Sequence, residues 1–552
     1  MQGENDCNSF KIIIPFVVFV TLNPSNENAM SSKYSNNLKP VVAAKEMAEI
    51  DRFTIEKVGI PGMVLMENAG REVVAVIREM LGTVEGKNIY IFCGKGNNGG
   101  DGYVVARYLL DMGANVKTYV VGKIDEVKGD AGSNLRILRG LGHSMLPISS
   151  VEHVNWNNGA HLLVDALLGT GVRGVLTGLM KELVEKINED RAPIISVDLP
   201  TGVEADTGAV GGTCIQAKTT VTMGYLKNGL LLTPGRKHAG DVIVADIGIP
   251  GSVLKEKNIK CFQLTADYVN MALPKREADT FKNRCGQVFL LAGSIGLTGA
   301  AVLSSEAVLR IGAGMALLGI PKSLNATVEE KLTEVMTLPL PETDQQSLSF
   351  DAKKIISGRF QWANSLAVGP GLSTHSQSAK LVKWILENFG KPVVLDADAI
   401  NCLKDDKELL KTAKSDLILT PHPGELSKLV GMSTKEILAN PIEIAREQAN
   451  KLNVILVLKG APTIIASPDG YVFINSTGNP GMATAGMGDV LTGAIAGLIA
   501  QGMSPLDGAL AGVYLHGVAG DISKSELGEA GLLAGDVLRN LPLAVKTFED
   551  SK

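Results

Sequence analysis

Acids and amides follow apolar runs in the N-terminal half of the chain, at glycine-rich turns. The first turn, Gly94-Lys-Gly-Asn-Asn-Gly-Gly-Asp101, leads into a helix predicted over residues 103–112. Backbone N–H groups at such a helix start bind phosphate, because they are unpaired and the helix dipole favours an anion. Asp165 and Asp198 each end a further strand-like run. Three acids at strand ends, without cysteine or histidine, suit a hard cation held by oxygen ligands, although each alone would serve equally as a cap or turn residue.

A second glycine-rich run, residues 479–488, ends at Asp489 where a long helical pattern begins. Its small residues let the backbone wrap an anion at the helix N-terminus. A carboxylate beside phosphate is electrostatically unfavourable unless it takes part in the chemistry. As a base, Asp489 would take a proton from a substrate hydroxyl, and the alternative is a helix-capping aspartate.

Other strand ends in this half carry polar groups that suit the same chemistry. Lys459-Gly-Ala-Pro-Thr463 offers a lysine and turn amides to a nucleotide, and Thr420-Pro-His-Pro-Gly-Glu-Leu-Ser-Lys428 presents a histidine between two prolines. Gly369-Pro-Gly371 is a close-approach turn, and Asp396 and Asp398 place two carboxylates at another strand end.

Strands alternate with helices in both halves, which predicts parallel, doubly wound α/β sheets. Predicted strands of the first half are 88–93, 115–121, 161–165 and 193–198, and predicted strands of the second are 287–292, 365–368, 392–396, 416–420 and 454–459. The fold is predicted to be α/β with two domains, the first a Rossmann-like parallel sheet with helices on both faces. Ligands of such sheets lie outside the carboxyl ends of the strands.

Composition favours a small-molecule enzyme. The 552 residues carry 53 Lys+Arg against 58 Asp+Glu, a net charge of −5 that argues against a dedicated nucleic-acid binder. Glycine makes up 61 of 552 residues, about 11% against a usual ~7%. Six scattered cysteines and seven histidines form no C-x-x-C or H-x-x-x-H pair, so we expect no structural metal and a reducing, cytoplasmic compartment.

The N-terminus carries an apolar run, residues 12–20, that is too short to span a membrane. Pro15 interrupts the run, and Glu4 and Asp6 precede it where a signal peptide has positive charge. We expect residues 1–40 to be a disordered extension or an over-long start, with a signal peptide as the alternative. The predicted domains are residues 41–262 and 281–552, joined by a linker at 263–280.

The motifs of the first half closely resemble the NAD(P)H-hydrate epimerase domain over about residues 41–253. The resemblance implies potassium bound through Asn98, Asp165 and Thr201, and interconversion of the R and S hydrates of NADH or NADPH at one ring carbon. We assign the acid–base role there to Asp198 as a hypothesis. The implied contacts with the hydrated dinucleotide are Asn97, Asn98, Gly99, Gly100, Asp101, Gly169, Thr170, Gly171, Val172, Arg173, Gly174, Val175 and Asp198.

The motifs of the second half resemble the NAD(P)H-hydrate dehydratase domain, which has a ribokinase-like fold, over about residues 280–543. The resemblance implies ADP as co-substrate and magnesium on its phosphates, with Asp489 activating the hydrate hydroxyl for phosphorylation and loss as phosphate. Implied hydrate contacts are Gly371, His422, Pro423, Gly424, Glu425, Leu426, Ser427, Lys428 and Asp489. Implied ADP contacts are Lys459, Gly460, Ala461, Pro462, Thr463, Asn479, Pro480, Gly481, Met482, Ala483, Thr484, Ala485, Gly486, Met487 and Gly488.

One departure affects the start of that domain. The family has Thr/Ser-His-Lys-Gly where this chain has Thr280-Phe-Lys-Asn283, so any contact made by the family histidine and glycine is lost. The rival interpretation is a ribokinase-like small-molecule kinase with a non-catalytic N-terminal binding module, because fold alone does not fix function. The partners expected are hydrated NADH, hydrated NADPH and ADP, with no nucleic acid or membrane, in a homo-oligomer.

Overall fold

The computed structural model describes residues 37–156 and 159–549. The apolar run and the rest of residues 1–36 lie outside the described residues. The described chain divides into two compact units, one of residues 41–259 and one of residues 260–549 together with 37–40. Within the described ranges, no helix is both long and apolar enough to cross a bilayer.

Parallel strands form the centre of the first unit. Its strands are β1 (Lys39–Val42, of which Val41 and Val42 belong to this unit), β2 (Asn88–Cys93), β3 (Asn115–Val121), β4 (Met145–Ile148), β5 (Leu162–Ala166), β6 (Ile194–Val197), β7 (Thr219–Met223), β8 (Leu226–Lys227) and β9 (Asp241–Ala245). Its helices are α1 (Ala44–Phe53), α2 (Gly62–Leu81), α3 (Asn97–Asp111), α4 (Gly129–Gly140), α5 (Gly178–Glu189), α6 (Asn228–Leu231), α7 (Gly235–Ala239) and α8 (Gly251–Lys257). The main sheet has the order β4-β3-β2-β5-β6-β7-β9, and every pairing in it is parallel.

The apolar run of β2 is explained by cores on both faces of this sheet. Ile89 and Ile91 pack with helices α2, α3 and α4 on one face. Tyr90 and Phe92 pack with α5 on the other. Successive strand residues point to opposite faces, so a strand covered on both sides is apolar at every position. The predicted parallel sheet with helices on both faces is confirmed.

The direction of winding reverses between β2 and β5. From β2 the chain moves outward to β3 and β4, whereas from β5 it moves the other way to β6 and β7. In open parallel sheets this switch point creates a crevice at the carboxyl ends of the strands. The glycine-rich turn after β2 and the acid-bearing ends of β5 and β6 therefore lie on one rim.

The second unit is a larger, mixed sheet with helices packed against it. Its strands are β10 (Cys261–Gln263), β11 (Gln287–Leu291), β12 (Met315–Pro321), β13 (Met336–Leu340), β14 (Ser365–Val368), β15 (Val393–Leu395), β16 (Leu417–Leu419), β17 (Ile455–Leu458), β18 (Thr463–Ala466) and β19 (Val472–Asn475). Its helices are α9 (Ala266–Ala272), α10 (Thr298–Arg310), α11 (Asn325–Glu329), α12 (Lys353–Ser357), α13 (Ser376–Asn388), α14 (Asp398–Asn401), α15 (Glu408–Thr412), α16 (Pro423–Val430), α17 (Thr434–Ala439), α18 (Pro441–Leu452), α19 (Met487–Ala500), α20 (Pro505–Leu527) and α21 (Ala534–Glu549).

Its strand order is β13-β12-β11-β14-β15-β16-β17-β18-β19-β10, parallel from β13 to β17 and antiparallel at β18. Helix α19 is buried from Val490 to Ala500, which accounts for its apolar composition on every face. Helix α9 lies within residues 263–280, the predicted linker, and the hydroxyl of its Tyr268 donates to Asp507 at 2.6 Å.

Candidate active sites

The glycine-rich turn after β2 is shorter than the sequence indicates, because helix α3 already begins at Asn97. The sequence predicts the helix only from Tyr103, since several glycines disfavour a helix. Close packing explains them. A Cβ on Gly99 would lie 2.0 Å from the carbonyl oxygen of Gly94, and a Cβ on Gly102 would lie 2.7 Å from Cys93 Sγ. The N–H groups of residues 97–99 therefore stand at a helix N-terminus, as phosphate binding requires.

Asp165 and Thr201 are joined at the carboxyl ends of β5 and β6. Asp165 is fully buried and accepts from Thr201 Oγ1 at 2.7 Å, Thr201 N at 2.9 Å, Ser196 Oγ at 2.9 Å and Leu167 N at 3.3 Å. Burial raises the pKa of Asp165, although these donors favour its ionised form. This hydrogen-bonded group fixes the turn of residues 167–169.

Asn98 provides an unsatisfied group beside that turn. Its Nδ2 and Oδ1 are both buried and have no hydrogen-bond partner in the part of the chain that the structure describes. A Cβ placed on Gly169 would lie 3.5 Å from Asn98 Oδ1 and 2.9 Å from Asp198 Oδ2. An unpaired buried amide is costly without a ligand, so its free oxygen fits an oxygen-binding cation. Within the described ranges, no group of three or more His, Cys, Asp or Glu side chains is placed to hold a metal.

Asp198 has a buried partner that the motifs did not reveal. Lys227 Nζ donates to Asp198 Oδ1 at 2.7 Å, and Lys227 is only 1% exposed. Asp198 itself has a φ of +68°, a strained conformation for a residue with a Cβ. Burial and the charge of Asp198 raise the pKa of Asp51 to about 6 and the pKa of Asp101 well above its ordinary value.

In the second unit, the candidate site is formed by the carboxyl ends of strands β15, β16 and β17. Asp396 is fully buried, and its carboxylate accepts from Lys459 Nζ at 2.7 Å, Thr420 Oγ1 at 2.8 Å and Thr492 Oγ1 at 2.9 Å. Glu425 Oε2 lies 3.7 Å from the same ammonium group. Burial disfavours the charged form of Lys459, but the negative charges of Asp396 and Glu425 together raise its pKa.

Asp489 lies in the first turn of α19, beside these groups. Gly486 caps the helix with a φ of +91°, and a Cβ on Gly488 would lie 3.2 Å from Lys459 Nζ. Burial, followed by repulsion from Asp396, raises the pKa of Asp489 to about 7. A carboxyl group with a pKa near neutrality can exchange a proton with a substrate, which is the property of a general base.

The predicted turn at His422 is the start of helix α16. His422 Nδ1 accepts from Gly424 N at 3.0 Å, and Glu425 Oε2 accepts from His422 N at 2.9 Å in a capping box. Pro423 and Gly424 are in the first turn, and the side chain of Lys428 is exposed. Two other residues predicted to contact the hydrate interact within the protein instead. Leu426 is fully buried, and Ser427 Oγ donates to Met432 O at 2.6 Å.

The glycine-rich run before α19 is held by an acid on α20. Asp521 Oδ2 accepts from Gly478 N and Asp521 Oδ1 accepts from Asn479 Nδ2, both at 2.9 Å. Asn479 Oδ1 in turn accepts from Gly481 N at 3.1 Å. Residues 460–462 lie apart from this run in sequence, in the turn between β17 and β18, and Thr463 is the first residue of β18.

Gly371 and Phe281, two positions singled out from the sequence, are far from Asp489 in the amino-acid sequence. Gly371, with a φ of +60°, packs on α10 and the turn before it, so that a Cβ there would lie 2.8 Å from Leu297 Cβ and 3.2 Å from Ala300 Cβ. Phe281, which replaces the family histidine, is 52% exposed, and the guanidinium of Arg284 lies 5.2 Å from the centre of its ring.

Family models match both units. The model described as NAD(P)H-hydrate dehydratase matches residues 288–543, and the model described as YjeF-related protein N-terminus matches residues 62–229. Whole-chain relatives match as well. The chain is 44% identical over 515 residues to the bifunctional NAD(P)H-hydrate repair enzyme Nnr of Moorella thermoacetica, covering 92% of this chain and 97% of that one. It is 32% identical to the Escherichia coli enzyme of the same name, covering 90% and 92%.

A solved structure resembles the second unit. It is the ADP/ATP-dependent NAD(P)H-hydrate dehydratase of Bacillus subtilis, co-crystallised with ATP and Mg²⁺. The sequence identity is 32%, the TM-score is 0.46, and the match covers 52% of this chain and 98% of that one.

Proposed function

The chain belongs to the family of bifunctional NAD(P)H-hydrate repair enzymes, and on that basis we propose that its two units carry out successive repair steps. The first unit interconverts the R and S hydrates of NADH and NADPH, and the second converts the S hydrate back to NAD(P)H at the expense of ADP. The observation that carries this proposal is the position of Asp489, a carboxyl group with a pKa of about 7 beside Lys459 at the start of α19.

Dehydration needs a good leaving group in place of hydroxide. Asp489 takes the proton of the hydrate hydroxyl, whose oxygen attacks the terminal phosphorus of ADP, and AMP departs with the electrons of the broken P–O bond. The ring-nitrogen lone pair then expels phosphate with the electrons of the C–O bond. Loss of a proton from the neighbouring carbon restores the ring double bond, so the products are NAD(P)H, AMP and phosphate.

Residues around Asp489 hold the nucleotide in this scheme. Lys459 supplies a positive charge, and the N–H groups before α19 face the phosphates. Magnesium, when bound to the nucleotide, would neutralise phosphate charge beside Lys459 and Asp489. Carboxylate oxygens suit that ion. The hydrate contacts at Gly371 and His422–Lys428 follow from the family resemblance.

Epimerisation needs one bond at the hydrated carbon to break and form again. Asp198 removes the hydroxyl proton, a C=O bond forms, and the C–N bond electrons pass to the ring nitrogen, which takes up a proton. The open aldehyde rotates about its C–C bond, and the nitrogen adds to the opposite face with both proton transfers reversed. No atom is gained or lost, so the step needs only acid–base groups.

Potassium is the cation that we propose for the first unit. The unpaired Oδ1 of Asn98 fits it, and Asp165 and Thr201 would complete the protein ligands while remaining hydrogen-bonded to each other. A bound potassium ion supplies positive charge beside an anionic substrate.

We place the enzyme in the cytoplasm, because the five cysteines in the described residues are free, as a reducing compartment keeps them.

The test is a recovery assay on the full chain. An equilibrated mixture of R and S hydrates is incubated with magnesium, potassium and either ADP or ATP, and the near-ultraviolet absorbance of reduced nicotinamide is followed. Fast and complete recovery with ADP is expected. Recovery that stops after the S fraction would refute the epimerase, and no recovery with either nucleotide would refute the dehydratase.

Two variants separate the units within the same chain. Asp489→Asn is expected to lower recovery by at least about 10²-fold while hydrate epimers still interconvert, because general-base catalysis contributes about that much. Asp198→Asn is expected to leave fast recovery of the S fraction and abolish fast use of the R fraction. Activity of both kinds in both variants would contradict the assigned roles.

A further inference from the structure

The side chain of Lys227 is buried although lysine is among the residues that are almost never fully buried unless paired. Its ammonium group donates to Asp198 Oδ1 at 2.7 Å, Met223 O at 2.7 Å and Thr222 Oγ1 at 3.1 Å. These acceptors use the three N–H bonds of the ammonium group. The side chain is therefore held in one orientation, with its charge against Asp198.

The two oxygens of Asp198 have different surroundings. Oδ1 is held by Lys227 and also accepts from Thr222 Oγ1 at 3.3 Å and Met223 N at 3.4 Å. Oδ2 faces Gly169, where a Cβ would lie 2.9 Å away. Gly169 begins the segment assigned to the hydrate by family resemblance. One oxygen is thus anchored and the other is directed to the substrate side.

Asp198 shares this region with two further acids. Asp51 from α1 and Asp101 from α3 both interact electrostatically with Asp198 and with Lys227. A single buried cation cannot balance the buried carboxylates of Asp101 and Asp198 and the partly buried one of Asp51, and burial with mutual repulsion raises the pKa of both Asp51 and Asp101. Lys227 contacts Asp198 directly, so Asp198 is the acid with which the lysine is paired.

We propose that Lys227 is a positioning residue for epimerisation, which fixes the Asp198 carboxylate with Oδ2 toward the hydrate, where that oxygen accepts the hydroxyl proton. The inference rests on the proposed epimerase function. The competing explanation is a buried ion pair of purely structural value. Such a pair contributes little net stability, which argues against that explanation.

The experiment uses the full chain with Lys227→Met, Asp198→Asn and the double variant. The initial rate of R-hydrate use is measured against concentration, and S-hydrate recovery by the second unit serves as the internal control. Equilibrium binding of the hydrate mixture reports the integrity of the site. For Lys227→Met we expect kcat for R-hydrate use to fall about 10²-fold, with KM and binding within about threefold of wild type.

The double variant distinguishes positioning from structural support. If Lys227 acts through Asp198, adding Lys227→Met to Asp198→Asn causes no further loss, because the carboxylate that it orients is already absent. Multiplicative losses, or a folded Lys227→Met variant with wild-type use of the R hydrate, would overturn the proposal. A wild-type chain that cannot use the R hydrate would refute the proposed function itself.

Lys227→Arg keeps the test valid if Lys227→Met does not fold. Arginine retains a cation beside Asp198 with a different reach, so we expect roughly a tenth of wild-type kcat with an unchanged KM. A folded Lys227→Arg variant with wild-type kcat and a raised KM would assign Lys227 to substrate binding and overturn the positioning role.

Discussion

Lys459 Nζ lies 2.7 Å from Asp396 Oδ1, and Asp396 is fully buried. Asp396 follows β15 and Lys459 follows β17, the strands on either side of β16. Asp489 lies beside both residues at the start of α19. Asp396 thus has two effects on the site. It fixes the ammonium group of Lys459, and its negative charge adds to burial, the largest cause of the raised pKa of Asp489.

Asp396→Asn should impair both stability and dehydration. The amide cannot ion-pair with Lys459 and leaves that ammonium group without its nearest partner, which we expect to cost about 2–4 kcal/mol of folding free energy. The repulsion on Asp489 also disappears, so the acidic limb of the dehydration rate should move to lower pH. Calorimetry and a pH–rate profile measure the two effects.

Asp398→Asn is the matched control for this variant. Asp398 also raises the pKa of Asp489, but it accepts from Ser373 N rather than from Lys459. We expect its acidic limb to move in the same direction with a smaller loss of stability. Equal destabilisation by both variants would contradict the role given to the Lys459–Asp396 pair.

Asp489→Asn should stabilise the second unit in a pH-dependent manner. The pKa of about 7 in the folded state lies above the ordinary 3.8, so the folded state favours the protonated form. Above about pH 7 both states are ionised and the folded state bears the full cost of the buried charge. Below about pH 4 both are protonated and the cost vanishes.

Since asparagine cannot ionise, the gain should be largest at pH 8 and disappear as the pH falls toward 4. The full shift corresponds to roughly 4 kcal/mol, which screening at a partly exposed site reduces to about 1–2 kcal/mol. We expect the unfolding temperature of the variant to rise by about 2–6 °C at pH 8. Asp405→Asn, at an exposed acid, should give no such gain, and a gain at Asp489 that grows toward pH 4 would be the wrong sign.

The sheet strands and the family were predictable from the sequence for a definite physical reason. Strands such as β2 and β14 are buried on both faces, so their apolar runs stand out. The family is confirmed by relatives that match 92% of the chain. The start of α3 at Asn97 was missed, because local propensity argues against a glycine-rich helix and only packing of Gly99 on Gly94 explains it.

Site residues divide in the same way. Asp198 and Asp489 carry local signals, a strand end and a glycine-rich run. Lys227 lies 29 residues from its partner Asp198, Asp396 lies 63 from Lys459, and Asp521 lies 42 from Asn479, and no local motif marks these contacts. Buried ion pairs of this kind are set by tertiary structure. The substrate contacts, domain limits and homo-oligomer remain predictions.

Asp521→Asn should weaken nucleotide use without affecting epimerisation. The Asp521 carboxylate accepts from both Gly478 N and Asn479 Nδ2, and the amide of asparagine can accept only on one side. Loss of one charged hydrogen bond, about 1.5–3 kcal/mol, should loosen the run that holds ADP. We expect KM for ADP to rise about tenfold with a much smaller change in kcat.

Ser525→Ala on the same helix is the control for Asp521→Asn. Ser525 Oγ donates only within its own helix, to Ile522 O at 2.7 Å, so nucleotide use should be unchanged. Initial rates at varied ADP concentration provide the measurement. A wild-type KM for ADP in a folded Asp521→Asn protein would show that the hydrogen bonds of Asp521 do not position the glycine-rich run for nucleotide binding.

Gly169→Ala should selectively impair epimerisation. Its Cβ would lie 2.9 Å from Asp198 Oδ2 and 3.5 Å from Asn98 Oδ1, closer to the carboxylate than real Cβ contacts allow. Asp198 must therefore move, and misplacement by about 1 Å can cost about 10²-fold in rate. We expect at least a tenfold loss in use of the R hydrate and unchanged recovery of the S hydrate. Gly140→Ala, where an added Cβ would meet nothing within 4 Å, controls for the substitution itself. Wild-type epimerisation by a folded Gly169→Ala chain would place the reacting carbon away from Asp198 Oδ2.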